Sequence, residues 1–494
     1  MLDFREQFHP EDSQLNELAE FMTAHFDEPA ELPEKPIPAG YTYLGQFIDH
    51  DIALDSATTG ERLEPWVRID PQSISNKRTP FLNLETIYGY DEPSNTGEPR
   101  RSELLEPGTA KLKLGETSND GLVNHVFKDR DLLRRPTGIA IIVDSRNDDN
   151  VAVAQTQVAF TRFHNTVVKC LGGGDPSTVF DTAREIVIQH YQRIIVEDYL
   201  PRVVKKSVFD AALDAASNDP RRFKFFRLTD RRFPVMPLEF SVGAFRMGHS
   251  MIRESYNWNR NFNTHTPASP ASIVALTKLT GRCGLTTTNK RRGQLPSEWL
   301  VNWNLFYETS AVLDPDLNLA APINTRIAPS LGQLPSPTQN NCEFTTDGIF
   351  RRECSLPAFD LYRTRSLGLP SGQAIARRVL DSEDGILDSE RIADLLPESL
   401  REPFKGETPF WFYLLAEAEI QEKGSTLGEV GSRILAETFL GFLRASPLCL
   451  LDPRVERRSI PELDEFGDRF GMPQMLHFIN KYKDEEYDDF IGGR

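Results

Sequence analysis

Three stretches of the chain place apolar residues at the spacing of a helix. The first lies between residues 181 and 200 and is predicted to end at Pro201; the second runs from about 150 to 170 and the third from about 427 to 443. Strand patterns are sparse, and the best is the short apolar run at 138–143. The pattern predicts a mainly α protein with very little β structure. The apolar stripes are Val187, Tyr191 and Ile194; Phe160, Phe163 and Val167; and Leu435, Phe439 and Phe442.

The length of the chain leaves the number of domains open at first. With 494 residues, a usual domain size of about 150 residues suggests roughly two to four domains. No internal repeat, low-complexity tract or shift in composition marks a boundary between them. We therefore expect one large helical domain over residues 1–494.

The composition argues against nucleic-acid and membrane partners. Acidic residues outnumber basic ones by 73 to 56, which gives a formal net charge of −17 and a field that repels nucleic acid and anionic lipid. No stretch approaches the roughly 20 apolar residues of a membrane span, and the N-terminal residues lack the basic start and apolar run of a secretory signal. We therefore expect no nucleic-acid partner, no membrane span and a cytoplasmic location, with secretion by a leaderless route as the alternative.

The cysteines are widely spaced and form no Cys-x-x-Cys pair, so neither a zinc site nor a redox site is indicated. We expect all five to be ordinary core thiols. They are Cys170, Cys283, Cys342, Cys354 and Cys449.

The first segment with candidate chemistry is Leu44–Asp51, with the sequence LGQFIDHD. In a helix, Gln46 and His50 would lie one turn apart with Asp49 beside them, so that polar groups gather on an otherwise apolar element. Such a cluster favours a site, although a solvated turn with a structural histidine is the alternative.

Two further segments combine a cation with acidic or small neighbours. Residues 144–150 (DSRNDDN) precede the predicted helix at 150–170, and Arg146 there is followed three residues later by a carboxylate, as in a helix cap with a surface ion pair. Residues 243–249 (GAFRMGH) place His249 after a glycine. A small neighbour lets a planar ligand approach a histidine closely, and an arginine one turn away suits a carboxylate on that ligand.

Taken together and in this order, the three segments resemble the animal-type haem peroxidase superfamily, and the chain is similar to its bacterial members. The family's Gly-Gln-x-x-Asp-His-Asp, Arg-x-x-Glu and Phe-Arg-x-Gly-His stretches correspond to Gly45–Asp51, Arg146–Asp149 and Phe245–His249. The similarity extends over about residues 36–447. Three further segments agree with the family: Thr79–Gly89, Phe163–Asn165 and Asp360–Arg365.

The resemblance implies a haem b enclosed by one helical domain and a peroxidase that reduces hydrogen peroxide through a ferryl intermediate. In that role His50 is the distal acid and base, Gln46 its neighbour in a water network, Arg146 the distal cation and His249 the axial iron ligand. Neutral imidazole suits the transfer of a proton between the two peroxide oxygens, and an arginine stabilises the charge on the departing oxygen. The expected donors are small aromatic molecules or easily oxidised anions such as iodide, bromide and thiocyanate.

Other roles follow from the same resemblance. Arg246 and Arg363 would pair with the haem propionates. Asp49 and Asp149 correspond to residues that form haem esters in the family, but Asp149 is one methylene shorter than glutamate, so we expect one ester through Asp49 or none. Asp360 stands where the family commonly has an asparagine that accepts a hydrogen bond from the proximal histidine. A carboxylate there would lower the reduction potential of the iron and disfavour chloride oxidation.

A calcium site is also implied, with Asp51 and the loop at 79–85 as its source of oxygen ligands. The family usually has aspartate and serine where this chain has asparagine and glutamate, which keeps two carboxylates but redistributes them. An ordinary loop at a helix end is the alternative. The loop ligands would be the side chains of Thr79, Asn83 and Glu85 and the carbonyl of Phe81.

Three other functions are alternatives to a peroxidase. A fatty-acid dioxygenase or cyclooxygenase-like enzyme would carry a tyrosine three residues before the proximal histidine, where this chain has Arg246, although Tyr256 or Tyr362 could lie near the haem. A catalytically silent adhesion protein would not need the full set of site residues, and a non-haem metalloenzyme would need a compact HExxH-type cluster. The net charge of −17 makes a neutral or cationic organic donor more favourable than a halide. The remaining histidines are expected to be structural: His9, His25, His125, His164, His190, His265 and His477.

Overall fold

The computed structural model describes residues 8–24, 26, 32–55, 67–89, 98–119, 121–228, 234–281, 283, 285, 293–334, 350–484 and 489–492. About 49% of the residues are helical, which confirms the prediction of a mainly α fold. The α-helices in the first half are α1 (Asp12–Ala24), α2 (Gly40–Ile52), α3 (Glu85–Tyr88), α4 (Arg101–Leu104), α5 (Val151–Leu171), α6 (Pro176–Arg193), α7 (Leu200–Val203), α8 (Lys206–Asn218) and α9 (Leu238–Ser241). Those that follow are α10 (Ile273–Lys278), α11 (Leu356–Ser366), α12 (Gly372–Leu380), α13 (Ser389–Ala393), α14 (Glu398–Arg401), α15 (Phe410–Glu422), α16 (Glu429–Ala445), α17 (Pro461–Asp464) and α18 (Met472–Lys481).

Two of the three predicted helices are found within two residues of their expected ends. Helix α5 begins after Asn150, whose side chain accepts a hydrogen bond from the Val153 amide, and it ends at Gly172, which has a φ of +77°. Helix α16 covers the third apolar stripe and is followed by Pro447. The periodicity was informative here because one face of each helix is buried in the core.

The helix predicted at 181–200 is longer than expected. It starts at Pro176, continues through a π-helical turn at Ile194–Tyr199 and ends only at Val203 in α7. The prediction that Pro201 ends the helix is therefore wrong. In the π turn the Leu200 amide bonds to the Ile195 carbonyl five residues back, and this shift in the pattern accommodates a residue without an N–H donor.

The predicted strand at 138–143 is absent. This run makes only an isolated antiparallel bridge, between Arg134 and Ala140. The Arg135 amide donates to the Ile139 carbonyl and the Ile141 amide to the Leu133 carbonyl, a pairing too short to form a strand. Within the described part of the chain the one sheet consists of β1 (Ser255–Tyr256) and β2 (Ala271–Ser272), paired antiparallel.

One hydrophobic cluster runs through the molecule from Leu15 to Ile491. Helix α2 lies inside it and contacts α5, the 3₁₀ helix Ser145–Asp148 and the 3₁₀ helix Ala244–His249. The three sequence segments with candidate chemistry therefore meet around α2. None of the described helices is both long and apolar enough to cross a membrane.

The expectation of five core thiols is wrong for Cys283, which is disulfide-bonded. Cys449 is buried, and burial raises its pKa, as expected for a core thiol. Cys170 is half-buried, and burial raises its pKa to about 11. Cys342 and the histidine at His25 lie outside the described residues.

Candidate active site

The segment Leu44–Asp51 is helical and forms the C-terminal part of α2. Gly45 lets the helix lie against Tyr199, because a Cβ at this position would be 2.6 Å from the tyrosine hydroxyl oxygen. Gln46, Asp49 and His50 follow within the next turn and a half. The packing of α2 therefore fixes where these polar side chains point.

His50 is 5% exposed and is held by one side chain. Its Nδ1 lies 2.7 Å from Oδ1 of Asn147. The amide nitrogen of Asn147 donates to Thr86 Oγ1 at 2.7 Å and to Gln157 Oε1 at 2.6 Å, so its oxygen must face the histidine. His50 therefore carries its proton on Nδ1, and its Nε2 makes no hydrogen bond with a described residue. Burial, with the positive charge of Arg146, lowers the pKa of His50 to about 4, so the imidazole is neutral near pH 7.

Arg146 lies beside His50 and is fixed by carboxylate and carbonyl oxygens. Its Nε and Nη2 donate to the Asp144 carboxylate at 2.9 and 2.7 Å, and Nη2 also donates to the carbonyls of His50 and Ala53 at 3.2 and 2.6 Å. Burial alone would raise the pKa of Asp144, but Arg146 and then Arg78 hold it below its ordinary value. The cation is thus tied to the backbone at the histidine itself and three residues after it.

Gln46 and Asp49 connect α2 to the other two segments. Gln46 Oε1 accepts a hydrogen bond from Asn150 Nδ2 at 3.1 Å. Asp49 lies 3.8 Å from Arg246 Nη1, and its side chain is 13% exposed. Asp149 is half-buried. Burial alone would lower the pKa of Arg146, but Asp144 first, and then Asp49 and Asp149, raise it above its ordinary value.

His249 ends the 3₁₀ helix Ala244–His249 and is paired with α11. Its Nδ1 lies 2.6 Å from Oδ2 of Asp360, which is 6% exposed. The His249 Nε2 makes no hydrogen bond with a described residue, and a Cβ built on Gly248 would meet no atom within 4 Å. The imidazole is thus oriented by a carboxylate, and open space lies beside it.

Arg246 and Arg363 form the cationic part of this side of the site. Arg246 Nε donates to the Ser241 carbonyl at 3.0 Å. Arg363 lies one turn after Asp360 on α11. Burial and the charge of Arg246 lower the pKa of Arg363, against the opposing effect of Asp55. Two arginines that act on each other in this way suit a ligand with two negative charges.

The other histidines described in detail have different partners. His164 uses both ring nitrogens, Nδ1 with the Tyr88 hydroxyl at 3.1 Å and Nε2 with the Ala110 carbonyl at 2.9 Å. His190 Nδ1 donates to the Ile186 carbonyl one turn back at 2.8 Å. Burial lowers the pKa of each to about 4. These contacts are typical of structural histidines.

The loop at 79–85 lies against Asp51. The Asp51 carboxylate accepts hydrogen bonds from the amides of Leu84 and Thr86 at 3.1 and 3.2 Å. Glu85 accepts from the Thr79 amide at 3.0 Å and from Asn83 Nδ2 at 3.2 Å. Burial, with the charge of Glu85, raises the pKa of Asp51 to about 7.

The oxygen atoms of the same loop show whether a cation could bind there. Asn83 Oδ1 is buried and has no hydrogen-bond partner among the described residues, which leaves an oxygen available, and Phe81 lies in the same turn. However, among the residues that the structure describes, no three His, Cys, Asp or Glu side chains come together as a metal-binding group. Asp51 and Glu85 supply only two carboxylates there, together with neutral oxygens of the kind that a hard cation such as Ca²⁺ accepts.

The site thus has two histidines with free Nε2 atoms, a fixed arginine beside one of them and two arginines near the other. The sequence profile of the animal haem peroxidase family matches residues 54–280, a range that includes Arg146 and His249. Over this range the chain is similar to the animal haem peroxidase family. The family implies a haem, and the donor set fits one, because His249 Nε2 is an available axial nitrogen and Arg246 and Arg363 suit the propionates.

Two curated proteins are similar to part of this chain. A peroxidase-like protein of Margaritifera margaritifera is 26% identical over 272 residues, which are 44% of this chain and 32% of that protein. A dual oxidase of Drosophila melanogaster is 24% identical over 312 residues, 61% of this chain and 17% of that protein. The chain therefore spans less than a third of the length of these two relatives.

Solved structures share the fold over nearly the whole chain. Peroxidase A of Dictyostelium discoideum has a TM-score of 0.61 at 13% identity and covers 100% of this chain and 94% of its own. A fatty acid alpha-dioxygenase variant of Oryza sativa with palmitic acid has a TM-score of 0.56 at 16% identity and covers 96% and 80%. At these identities the similarity establishes the haem peroxidase fold and not the reaction.

Three kinds of residue in the site were not predicted from the sequence. Asn147, Thr86 and Gln157 form the network behind His50, and Asp144 holds Arg146. Trp411 lies against His249. Asn147 and Asp144 stand within the segment 144–150, but no periodicity marks them, because their contacts are made to other elements.

Proposed function

We propose that this chain is a haem peroxidase that reduces hydrogen peroxide and oxidises small donors. The observation that carries the proposal is the pair of histidines whose Nδ1 atoms are held by Asn147 and Asp360 while both Nε2 atoms remain available. The match of residues 54–280 to the animal haem peroxidase family supports it.

Haem would be held by His249 Nε2, with Arg246 and Arg363 at its propionates, and when bound it supplies an iron that coordinates peroxide and exchanges electrons with it. The chain supplies the proton transfer. His50 Nε2, neutral because of burial, accepts the proton of one peroxide oxygen and delivers it to the other. Arg146 stabilises the negative charge on the departing oxygen, and Asp144 keeps the guanidinium in position.

The donor class follows from charge. Asp360 next to His249 gives the imidazole more anionic character, which lowers the reduction potential of a bound iron. The net charge of −17 repels halides. We therefore expect small neutral or cationic aromatic donors to be oxidised in preference to iodide, bromide or thiocyanate, and chloride to be oxidised slowly.

Two finer features remain part of the proposal. Asp49 would form one ester with a haem methyl group, and Asp149 none, since its side chain is short; haem that separates completely in acidified solvent would argue against the ester. Calcium would bind between Asp51 and the loop of Thr79, Phe81, Asn83 and Glu85, supported by the unpartnered Asn83 oxygen. Calcium in the purified protein after dialysis, and its loss in D51N, would be measured by atomic emission.

The visible spectrum of the purified protein tests the main proposal. We expect a ferric haem Soret band that changes on addition of hydrogen peroxide, and its loss in H249A. The matched control is H265A, which removes a surface histidine paired with Asp316 and should keep the band. A wild-type chain that takes up no haem on reconstitution would contradict the proposal.

A dioxygenase function is less well supported. The residue three before His249 is Arg246 and not a tyrosine. The Tyr362 hydroxyl donates hydrogen bonds to the Asp12 carbonyl and to Asn16 Oδ1 on α1. The Tyr256 hydroxyl accepts a hydrogen bond from the Arg253 amide. Neither contact involves His249 or His50.

A further inference from the structure

Trp411 lies directly against the proposed axial histidine. It is the second residue of α15, and its side chain is fully buried. The ring centroids of Trp411 and His249 are 6.5 Å apart with an interplanar angle of 68°, an edge-to-face contact. The indole Nε1 has no hydrogen-bond partner among the residues that the structure describes. An indole with a free N–H therefore contacts the imidazole that Asp360 orients.

Packing does not account for an indole at this position. A buried N–H without an acceptor costs on the order of 1–3 kcal/mol, and phenylalanine would supply an aromatic ring without that cost. Phenylalanines are frequent in the surrounding helices, and Phe410 on the same helix packs against Gly243 at the start of the His249 segment. What tryptophan adds is a ring that loses an electron easily. A buried polar group without a partner needs an explanation, and a redox role of the residue is one.

We propose that Trp411 donates one electron to the haem through His249 during turnover. The inference rests on the proposed peroxidase function and deepens it. Reduction of one hydrogen peroxide to two waters takes two electrons and two protons. Trp411 supplies one of these electrons and becomes an indole radical cation, because its N–H has no neighbouring acceptor for the proton. The Asp360 carboxylate adds negative charge to this region, which favours a positively charged indole.

The electron transfer determines the substrate class. Once Trp411 is oxidised, the two oxidising equivalents lie on separate centres. Each centre is then reduced by one electron from one donor molecule. One-electron donors such as phenols and anilines fit this arrangement. Halides, which are oxidised by two electrons in one step, do not.

Trp303 provides a matched control within the chain. Its indole Nε1 is also buried without a partner in the described part of the chain, but its ring contacts that of Tyr307, with the centroids 5.8 Å apart. An unpartnered indole is therefore not sufficient, and the contact with His249 distinguishes Trp411. Electron paramagnetic resonance of the haem-loaded full chain, frozen shortly after one equivalent of hydrogen peroxide, separates the two residues.

We expect an organic radical signal in the wild type whose hyperfine pattern changes when the protein contains ring-deuterated tryptophan. W411F, with haem content verified by absorbance, should lose this signal, W411Y should replace it by a tyrosyl pattern, and W303F should keep it. If W411F fails to bind haem, the deuterated wild type and W411Y still decide the matter. If the signal persists in W411F, or does not change on deuteration, Trp411 is not the electron donor. The proposed peroxidase function still holds in that case if the protein consumes peroxide. If the haem-loaded wild type does not react with peroxide, both the role of Trp411 and the peroxidase function are wrong.

Discussion

At the scale of single residues, the site depends on side chains that control the tautomer and orientation of its histidines. The sequence indicated His50, Arg146 and His249 because their motifs are local. It could not indicate Asn147 as the partner of His50, or Trp411 as a neighbour of His249, because these contacts join residues 97 and 162 positions apart, as the numbering shows. Contacts of this kind depend on how α2, α15 and the 3₁₀ helices pack.

Asn147 should control the reactivity of His50. In N147L the Nδ1 proton loses its acceptor, so the imidazole also populates the tautomer that protonates Nε2, the atom needed as a base. We expect the rate of reaction with peroxide, measured by stopped-flow absorbance, to fall by about 10- to 100-fold. T86V removes only the hydroxyl behind the Asn147 amide and should have a much smaller effect. Equal losses in both variants would mean that the network acts only through stability.

Asp360 should lower the reduction potential of the iron. In D360N the neutral amide accepts the same hydrogen bond from His249 without its charge, so the ferric state is less favoured. A tenfold change in the relative stability of the two oxidation states corresponds to about 59 mV for a one-electron couple, and we expect a rise of that order in a spectroelectrochemical titration. D316N alters a similar Asp–His pair at the surface and should leave the potential unchanged. A fall in the potential of D360N would contradict this role.

At the scale of elements, apolar periodicity located helices well and the ends of one helix poorly. The stripes of α5 and α16 match the buried faces of those helices. The prediction that the helix ends at Pro201 was wrong because a π turn precedes this proline, and a π turn has no sequence period of its own. The composition of residues 138–143 is typical of a strand. A strand needs a second strand to pair with, and these residues form only one isolated bridge.

The link between α15 and α16 should make stability depend on pH. Glu417 of α15 is fully buried and accepts hydrogen bonds from the amides of Val430 and Gly431 at the start of α16. Burial raises its pKa from 4.5 to about 7. Between these values the folded chain holds a proton that the unfolded chain has released, so the free energy of unfolding falls as pH rises, by at most about 1.4 kcal/mol per unit.

Urea unfolding of wild type and E417Q at pH 5 and pH 7.5 isolates this contribution. The glutamine does not titrate, so the stability of the wild type relative to E417Q should be greater at pH 5 than at pH 7.5. The other carboxyl groups are common to both proteins and cancel in the difference. Parallel stability curves for the two proteins across this range would rule out a buried, protonated Glu417.

At the scale of the whole molecule, the site residues argue for one cooperative unit. They extend from Gln46 to Arg363, and the hydrophobic cluster continues to Ile491. The C-terminal helix α18 packs on α5, and the N-cap of α5, Asn150, bonds to Gln46. Length alone suggested several domains, but a domain of about 150 residues would divide the site. The domain prediction can be tested by perturbing a part of the core far from the haem residues.

Phe478 on α18 is suited to this test. Its side chain is fully buried, and its ring lies 5.5 Å from that of Phe163 on α5 in an edge-to-face contact. F478A leaves a cavity and should lower the free energy of unfolding by about 3–5 kcal/mol. In a single domain, loss of the haem Soret band and the change in tryptophan fluorescence should shift to lower denaturant together, because the tryptophans and the haem residues unfold with the same core. L313A, which truncates a leucine that is 51% exposed, should change stability by no more than about 0.5 kcal/mol. If F478A shifted the fluorescence transition and left the Soret transition in place, α18 and the haem site would belong to separate domains.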